Sequence, residues 1–261
     1  MICTTDDQKE EIRKAIKSNK FYRNEKVWSF LVADILSTSS NRNHYIELFC
    51  DSGIELDPDP DIWFEAMPAP PRTEKSGNPE RTRVDLAFGN IKKRGDTGAG
   101  IEFYQNKKDS WVCFVEAKLK EDVSPGTKHD DKRNQIIRII DNLICFQKNC
   151  KFPQKLFFAM LTPRLYRDKP TKKLYASLMN RYKNPKYIMD DISLSQKPER
   201  HKPDWNYPED PEDRIKLLKI NWVTYEEILE KEYGIKRLDL TSFEKVPEKI
   251  EKRFNELANG L

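Results

Sequence analysis

The run Trp111-Val112-Cys113-Phe114-Val115-Glu116-Ala117-Lys118-Leu119 is apolar and β-prone, then carries a carboxylate and an ammonium two residues apart. Alternate side chains of a strand share a face, so Glu116 and Lys118 are expected to point the same way as Val112 and Phe114. Burying two charges on one strand face costs free energy unless something there needs them. The rest of the chain must therefore build both a core around this strand and a chemical site at its end.

A chain of 261 residues suffices for one large domain, and its 11% aromatic content argues against wholesale disorder although 34% of residues are charged. No apolar run approaches the ~20 residues of a bilayer span, and the polar stretch Met1 to Glu11 lacks a secretory h-region. The cysteines Cys3, Cys50, Cys113, Cys145 and Cys150 are odd in number without a CxxC pair, which fits a reducing, cytoplasmic compartment. His44, His129 and His201 are too scattered for a zinc site, so a catalytic metal would need oxygen ligands. A net charge of +4 permits nucleic-acid binding and equally describes a well-solvated surface.

Helices are expected over Asp6 to Ser18, over Glu25 to Leu36 behind an Asn24 cap, and over His44 to Cys50. Glu25 in a first turn suits the helix dipole, which is a sufficient reason for a carboxylate there. Strands are expected at Ile62–Met67 and Thr82–Phe88, then a basic loop from Asn90 to Gly100, an edge strand at Ile101–Tyr104, and the long strand Ser110–Leu119. Lys132 to Phe146 has helical periodicity: Ile136, Ile140, Leu143 and Ile144 form the apolar face, with Ile137 at its margin. Asp131, Gln135, Arg138 and Asn142 form a polar stripe. Leu156–Leu161, bounded by Pro153 and Pro163, reads as a central strand. A basic amphipathic segment (Lys172 to Tyr182), a Pro-rich excursion (Ser193 to Asp213), a short strand (Ile220–Val223), a capping-box start at Thr224 and a C-terminal helix (Phe243 to Leu257) complete the chain. The order describes a single mixed α/β domain over 1–261, with a core at about 25–161 and a peripheral strand, loop and helices over 162–261.

Asp85 and Glu116 thus fall on neighbouring strands, and two converging carboxylates are the hard oxygen ligands that magnesium prefers. The Ala117 carbonyl can add a third oxygen, and Lys118 can orient a water or stabilise charge on a phosphate. Alone, Glu-x-Lys recurs by chance in so charged a chain, and Asp85 has a simpler use in neutralising Arg83 or Arg81. The conjunction of strand Asp, Glu-x-Lys strand and Gln/Arg helix is more specific.

Through Arg83-Val84-Asp85, Phe114-Val115-Glu116-Ala117-Lys118 and Gln135-Ile136-Ile137-Arg138, the chain resembles the PD-(D/E)XK nuclease superfamily. The resemblance covers about residues 25–161 and implies a restriction-endonuclease-like α-βββ-α-β core, a mixed sheet flanked by helices, with N- and C-terminal helical additions. It implies that Asp85 and Glu116 bind Mg²⁺ (Mn²⁺ substituting), that Lys118 is catalytic, and that Gln135 supports the site. Many members add a first-helix Glu as a further metal ligand; Glu25 matches that position best and Glu47 competes for it. Val84 stands where the family name has Pro, and Ile139 stands where the exonuclease-like branch has Tyr.

The expected activity is hydrolysis of DNA phosphodiesters by a restriction or defence endonuclease, acting as a homodimer if it breaks both strands. The alternatives are a catalytically silent nucleic-acid- or protein-binding module of the same fold, and a nuclease for RNA or single-stranded ends. Flanking phosphates need cations, and Lys92, Lys93, Arg94, Arg138, Arg164, Arg167, Lys172 and Lys173 are the candidates, with Arg181 and Lys183 of Arg181-Tyr182-Lys183 beside them. Trp205 and Tyr207 are available for stacking on bases or for packing in a core or partner contact.

Overall fold

Local signals set the first helices. In a computed structural model, the Thr5 hydroxyl accepts from the Gln8 amide while the Gln8 side chain accepts from the Thr5 amide, a capping box that starts α1 (Asp6–Ile16). The model describes residues 1–53, 56, 59–72, 82–95, 98–104, 109–126, 133–169, 173–194, 205–241 and 246–261. Strand β1 (Ile2–Cys3) precedes α1. The Asn24 side chain accepts from the Lys26 amide to cap α2 (Glu25–Thr38), and α3 (Arg42–Cys50) follows. Helices α1 to α3 fall where the sequence pattern puts them.

Among the described residues, eight strands make one mixed sheet. They are β1, β2 (Ile62–Pro68), β3 (Val84–Gly89), β4 (Ile91–Lys93), β5 (Gly100–Phe103), β6 (Trp111–Ala117), β7 (Lys155–Thr162) and β8 (Leu218–Thr224). The order β4-β5-β2-β3-β6-β7-β8, with β1 also on β2, puts the opening run near the middle. β2, β3 and β6 form an antiparallel meander; β7 and β8 then add parallel to β6. Helix α4 (Gln135–Ile144) carries the chain from β6 to β7, as a parallel connection requires.

β6 is buried on both faces. Trp111, Cys113, Val115 and Ala117 pack in one core with α1, α2 and α3, while Val112 and Phe114 face the other core with α4. That second core is closed by α6 (Leu174–Arg181), α7 (Pro185–Ser193) and α8 (Pro211–Lys216), reached after the short α5 (Arg164–Asp168). The first is completed by α9 (Tyr225–Tyr233) and α10 (Glu248–Gly260). Residues beyond 162, expected at the periphery, thus supply a sheet strand and core side chains such as Val223, Ile228 and Phe254.

Several expected boundaries move. The 90–100 stretch is not all loop. Gly89 adopts φ +115, where a Cβ would lie 2.4 Å from the Trp111 carbonyl, and β3 breaks off there into the β4–β5 hairpin. The Asn90 side chain takes over as acceptor for the Trp111 amide at 2.7 Å. The β6 strand ends at Ala117 rather than Leu119, although the Lys118 amide still donates to the Leu161 carbonyl at 2.8 Å. α4 starts at Gln135 because Asn134 caps it by accepting from the Ile137 amide; Asp131 and Lys132 lie outside the described residues. Ile137, expected at the helix margin, is fully buried. The short late strand is a full seven-residue strand, and α10 begins at Glu248, with Phe243 outside the described residues.

Candidate active site

The β3–β6 ladder runs through the Leu86–Val115 pair, so Asp85 and Glu116 are opposite each other one step further on. Directly opposed antiparallel residues place their side chains on the same face at close range. Asp85 Oδ2 accepts from the Ala117 amide at 2.7 Å. Lys118 Nζ sits 2.7 Å from Glu116 Oε1 and 3.3 Å from Glu25 Oε1, and the other Glu25 oxygen accepts from the Leu119 amide at 2.8 Å. The Gln135 carboxamide donates to Glu116 Oε1, while its own oxygen accepts from the Ser124 amide at 3.3 Å. Five side chains from α2, β3, β6 and its exit, and α4 thereby meet at one end of the meander.

Glu25 and Glu47 separate cleanly. Glu47 accepts from the Gly53 amide at 2.8 Å and from the Ser52 hydroxyl, which ties it to the turn after α3. Glu25 lies on Lys118.

Burial raises the Asp85 carboxyl to about 6; Lys118 opposes this, while Glu25 and Glu65 add to it. Burial and then the Asp85 charge push the Glu116 carboxyl well above the usual range. Burial alone would depress the Lys118 ammonium, but Glu116, Glu25 and Asp85 outweigh it and raise its pKa. Three carboxylates around one ammonium leave a site that welcomes additional positive charge. Among the described residues, Glu116 Oε2 is also buried without a hydrogen-bond partner, a costly state for a carboxylate oxygen.

Two residues that the sequence pattern did not single out border this cluster. Glu65, in β2, is buried at φ +47, a backbone region costly for a non-glycine residue. Gln8 donates to the Phe64 and Glu65 carbonyls at 3.2 Å each, pinning that kink, and Lys26 stands 2.9 Å from the Glu65 carboxylate. Tyr225, the first residue of α9, is buried with its hydroxyl 3.3 Å from Ser29 Oγ. Burial and Glu25, with Asp85 and Glu116 behind, raise its phenol. Glu65 shows the same signal as Glu116, a carboxylate inside an apolar strand; Tyr225 carries none.

The candidate phosphate-binding cations are not gathered in one patch. Arg138 is half-buried one turn along α4 from Gln135. Lys92 and Lys93 lie on β4 at the far edge of the sheet with Arg94 just beyond, and Lys92 sits 3.7 Å from Glu102. Arg164 grips Glu230 through both terminal nitrogens at 3.2 and 2.7 Å, and Arg167 meets Glu227 at 2.6 Å. Lys173 donates to the Lys120 carbonyl on the loop that leaves Lys118. Lys172 lies outside the described residues. Trp205 packs in the second core, and the Tyr207 hydroxyl donates to Asp141 at 3.1 Å, so both serve packing.

Comparison with the models of known protein families, with curated proteins and with solved structures finds no match.

Proposed function

We propose that the chain is a metal-dependent DNA endonuclease of restriction or defence type, built on a restriction-endonuclease-like core. The observation that carries this reading is the convergence of Glu25, Asp85, Glu116, Lys118 and Gln135 on one end of the β2–β3–β6 meander. With α3 and the β4–β5 hairpin as insertions, the path α2, β2, β3, β6, α4, β7 follows the α-βββ-α-β order that the resemblance implies, which supports the reading.

The donor set suits Mg²⁺. Among the described residues no group of three or more His, Cys, Asp or Glu side chains is arranged as a ready cage, but magnesium is commonly held by one or two carboxylates and keeps several waters. Asp85 and Glu116 would be those carboxylates, and Glu116 Oε2, unpartnered among the described residues, is free to serve as a ligand atom. The Ala117 carbonyl is the candidate backbone ligand. When bound there, such an ion would polarise a phosphate oxygen and acidify water.

The chain's own groups do the rest. Gln135 and Lys118 hold the Glu116 carboxylate by its Oε1, which leaves Oε2 for an ion. Glu25 holds the Lys118 ammonium in place, and Lys118 orients the attacking water and stabilises charge on the phosphate oxygens. Water oxygen bonds to phosphorus as the bond to the 3′ oxygen breaks, leaving 5′-phosphate and 3′-hydroxyl ends. A double-strand break needs two such sites, hence a two-fold homodimer on DNA. Among the described residues no helix is long and apolar enough to cross a membrane, and the five free cysteines agree with a reducing compartment.

Plasmid cleavage tests the reading. Wild type is expected to nick or linearise supercoiled DNA with Mg²⁺ and not with EDTA. Glu116→Gln and Lys118→Ala are expected to lose about 10²–10⁴-fold of the rate. Cleavage at wild-type rates by both variants would remove the site.

A further inference from the structure

A groove of about 690 Å³ lies between α5, α6 and β8, on the sheet face that carries Glu116. Its size is that of a small-ligand site. Glu116, Met160 and Trp222 form one row across β6, β7 and β8. At ~4.8 Å per strand, Trp222 is about 10 Å from Glu116, roughly three base steps along one DNA strand.

Two rings line the groove, Tyr166 and Trp222. The Trp222 indole is set in place: its N–H donates to Thr162 Oγ1 at 2.8 Å, and its edge meets buried Tyr175 with centroids 5.8 Å apart. Asn180 and Lys183, from α6 and the turn after it, are exposed into the groove and have no side-chain partner among the described residues. Arg167 stands at the rim, paired with Asp168 at 3.1 Å. A second, more open groove of about 620 Å³ shares Asn180 and Lys183 and continues to Tyr187, whose ring lies 5.0 Å from the Arg181 guanidinium.

The wall of this groove is fastened to the candidate active site. Asp122, on the loop that leaves Lys118, accepts from the Leu174 and Tyr175 amides at the start of α6 at 2.6 and 3.2 Å. Rings, a free carboxamide and a free ammonium along one path match a nucleotide: rings stack on a base, the carboxamide meets its edge, and the ammonium meets phosphate. A duplex hides its base faces, so only an unpaired nucleotide can offer one.

We propose that the α5–α6–β8 groove holds an unpaired nucleotide of the DNA strand whose phosphodiester lies at Glu116 and Lys118. Its placement beside the cut rests on the nuclease reading; occupancy of the groove by an unpaired base does not.

The test is binding in EDTA, where nothing is cut. A short single-stranded DNA carrying a fluorescent purine analogue is expected to bind with quenching of the analogue. The fully paired duplex should show no quenching. Asn180→Ala and Lys183→Gln, both on exposed positions, should weaken binding about fivefold or more, and Lys183→Gln should lower the salt dependence by about 0.7. Wild-type affinity, quenching and salt dependence in both variants would overturn the proposal, as would a free nucleoside monophosphate that competes as well as the strand. Variant-sensitive quenching without plasmid cleavage keeps the groove and removes the nuclease reading. Plasmid cleavage with variant-insensitive binding does the reverse.

Discussion

Asp85→Asn is expected to stabilise the metal-free protein at neutral pH. Burial lifts the Asp85 carboxyl from 3.8 to about 6, so the native state holds its proton where the unfolded state has lost it. Stability then falls as pH rises through that window, and the full penalty stands above about pH 6. Two units at 1.36 kcal/mol each give about 3 kcal/mol, which solvent screening of a half-buried group reduces to ~1–2 kcal/mol. Asn keeps an oxygen to accept from the Ala117 amide, so the local hydrogen bond survives. Thermal unfolding in EDTA at about pH 7.5 should show Tm raised by about 3–6 °C. Near pH 4 the two proteins should converge, because the native Asp85 is then protonated in wild type as well. Mg²⁺ should reverse the order: at about a hundred times its Kd, a ligand bound only by wild type adds ~2.7 kcal/mol. An Asn variant less stable than wild type at pH 7.5 in EDTA, or equally displaced at both pH values, would refute the reasoning.

Glu25→Gln frees Lys118 from one of the two carboxylates it is ion-paired with and should slow plasmid cleavage about 10–100-fold without loss of DNA binding, read by single-turnover rates beside gel-shift titration. Asp141→Ala leaves the buried Arg72 and Arg133 guanidiniums without their shared anion, at 2.8 and 2.6 Å; urea unfolding should report a loss of about 3–5 kcal/mol. Gly89→Ala drives a methyl group against the Trp111 carbonyl at positive φ and should cost more than about 1 kcal/mol in the same assay.

Strong periodicity made much of the fold legible. α2 carries an Asn cap and an apolar stripe, and β7 an unbroken apolar run between prolines; both stand where those signals put them. Of the β4–β5 hairpin, β5 was legible as the strand near Ile101–Tyr104, but β4 was not, because the break that starts it depends on a glycine conformation and an asparagine side chain that replaces a backbone partner. α7 was missed, although Asn184 and Pro185 form a cap and first turn, because nearby charges obscure its short stripe. At the candidate site, the two charges at the end of β6 pointed to the place, and the antiparallel register brought Asp85 opposite Glu116. Glu65 was overlooked although it breaks an apolar strand as Glu116 does; its kink and its contact with Lys26 exist only in three dimensions. Tyr225 comes from a helix 109 positions beyond Glu116, a separation no local pattern spans.

Glu116 and Lys118, at the end of β6, stand against Glu25, Asp85 and Gln135, and the claim that the cluster serves a metal is open to direct observation. A crystal of the protein grown with Mn²⁺ and measured at the manganese edge should show an anomalous peak between the Asp85 and Glu116 carboxylates. That peak should vanish in Glu116→Gln. Crystals with Mn²⁺ bound elsewhere, and Lys118 still seated between Glu116 and Glu25, would contradict the account.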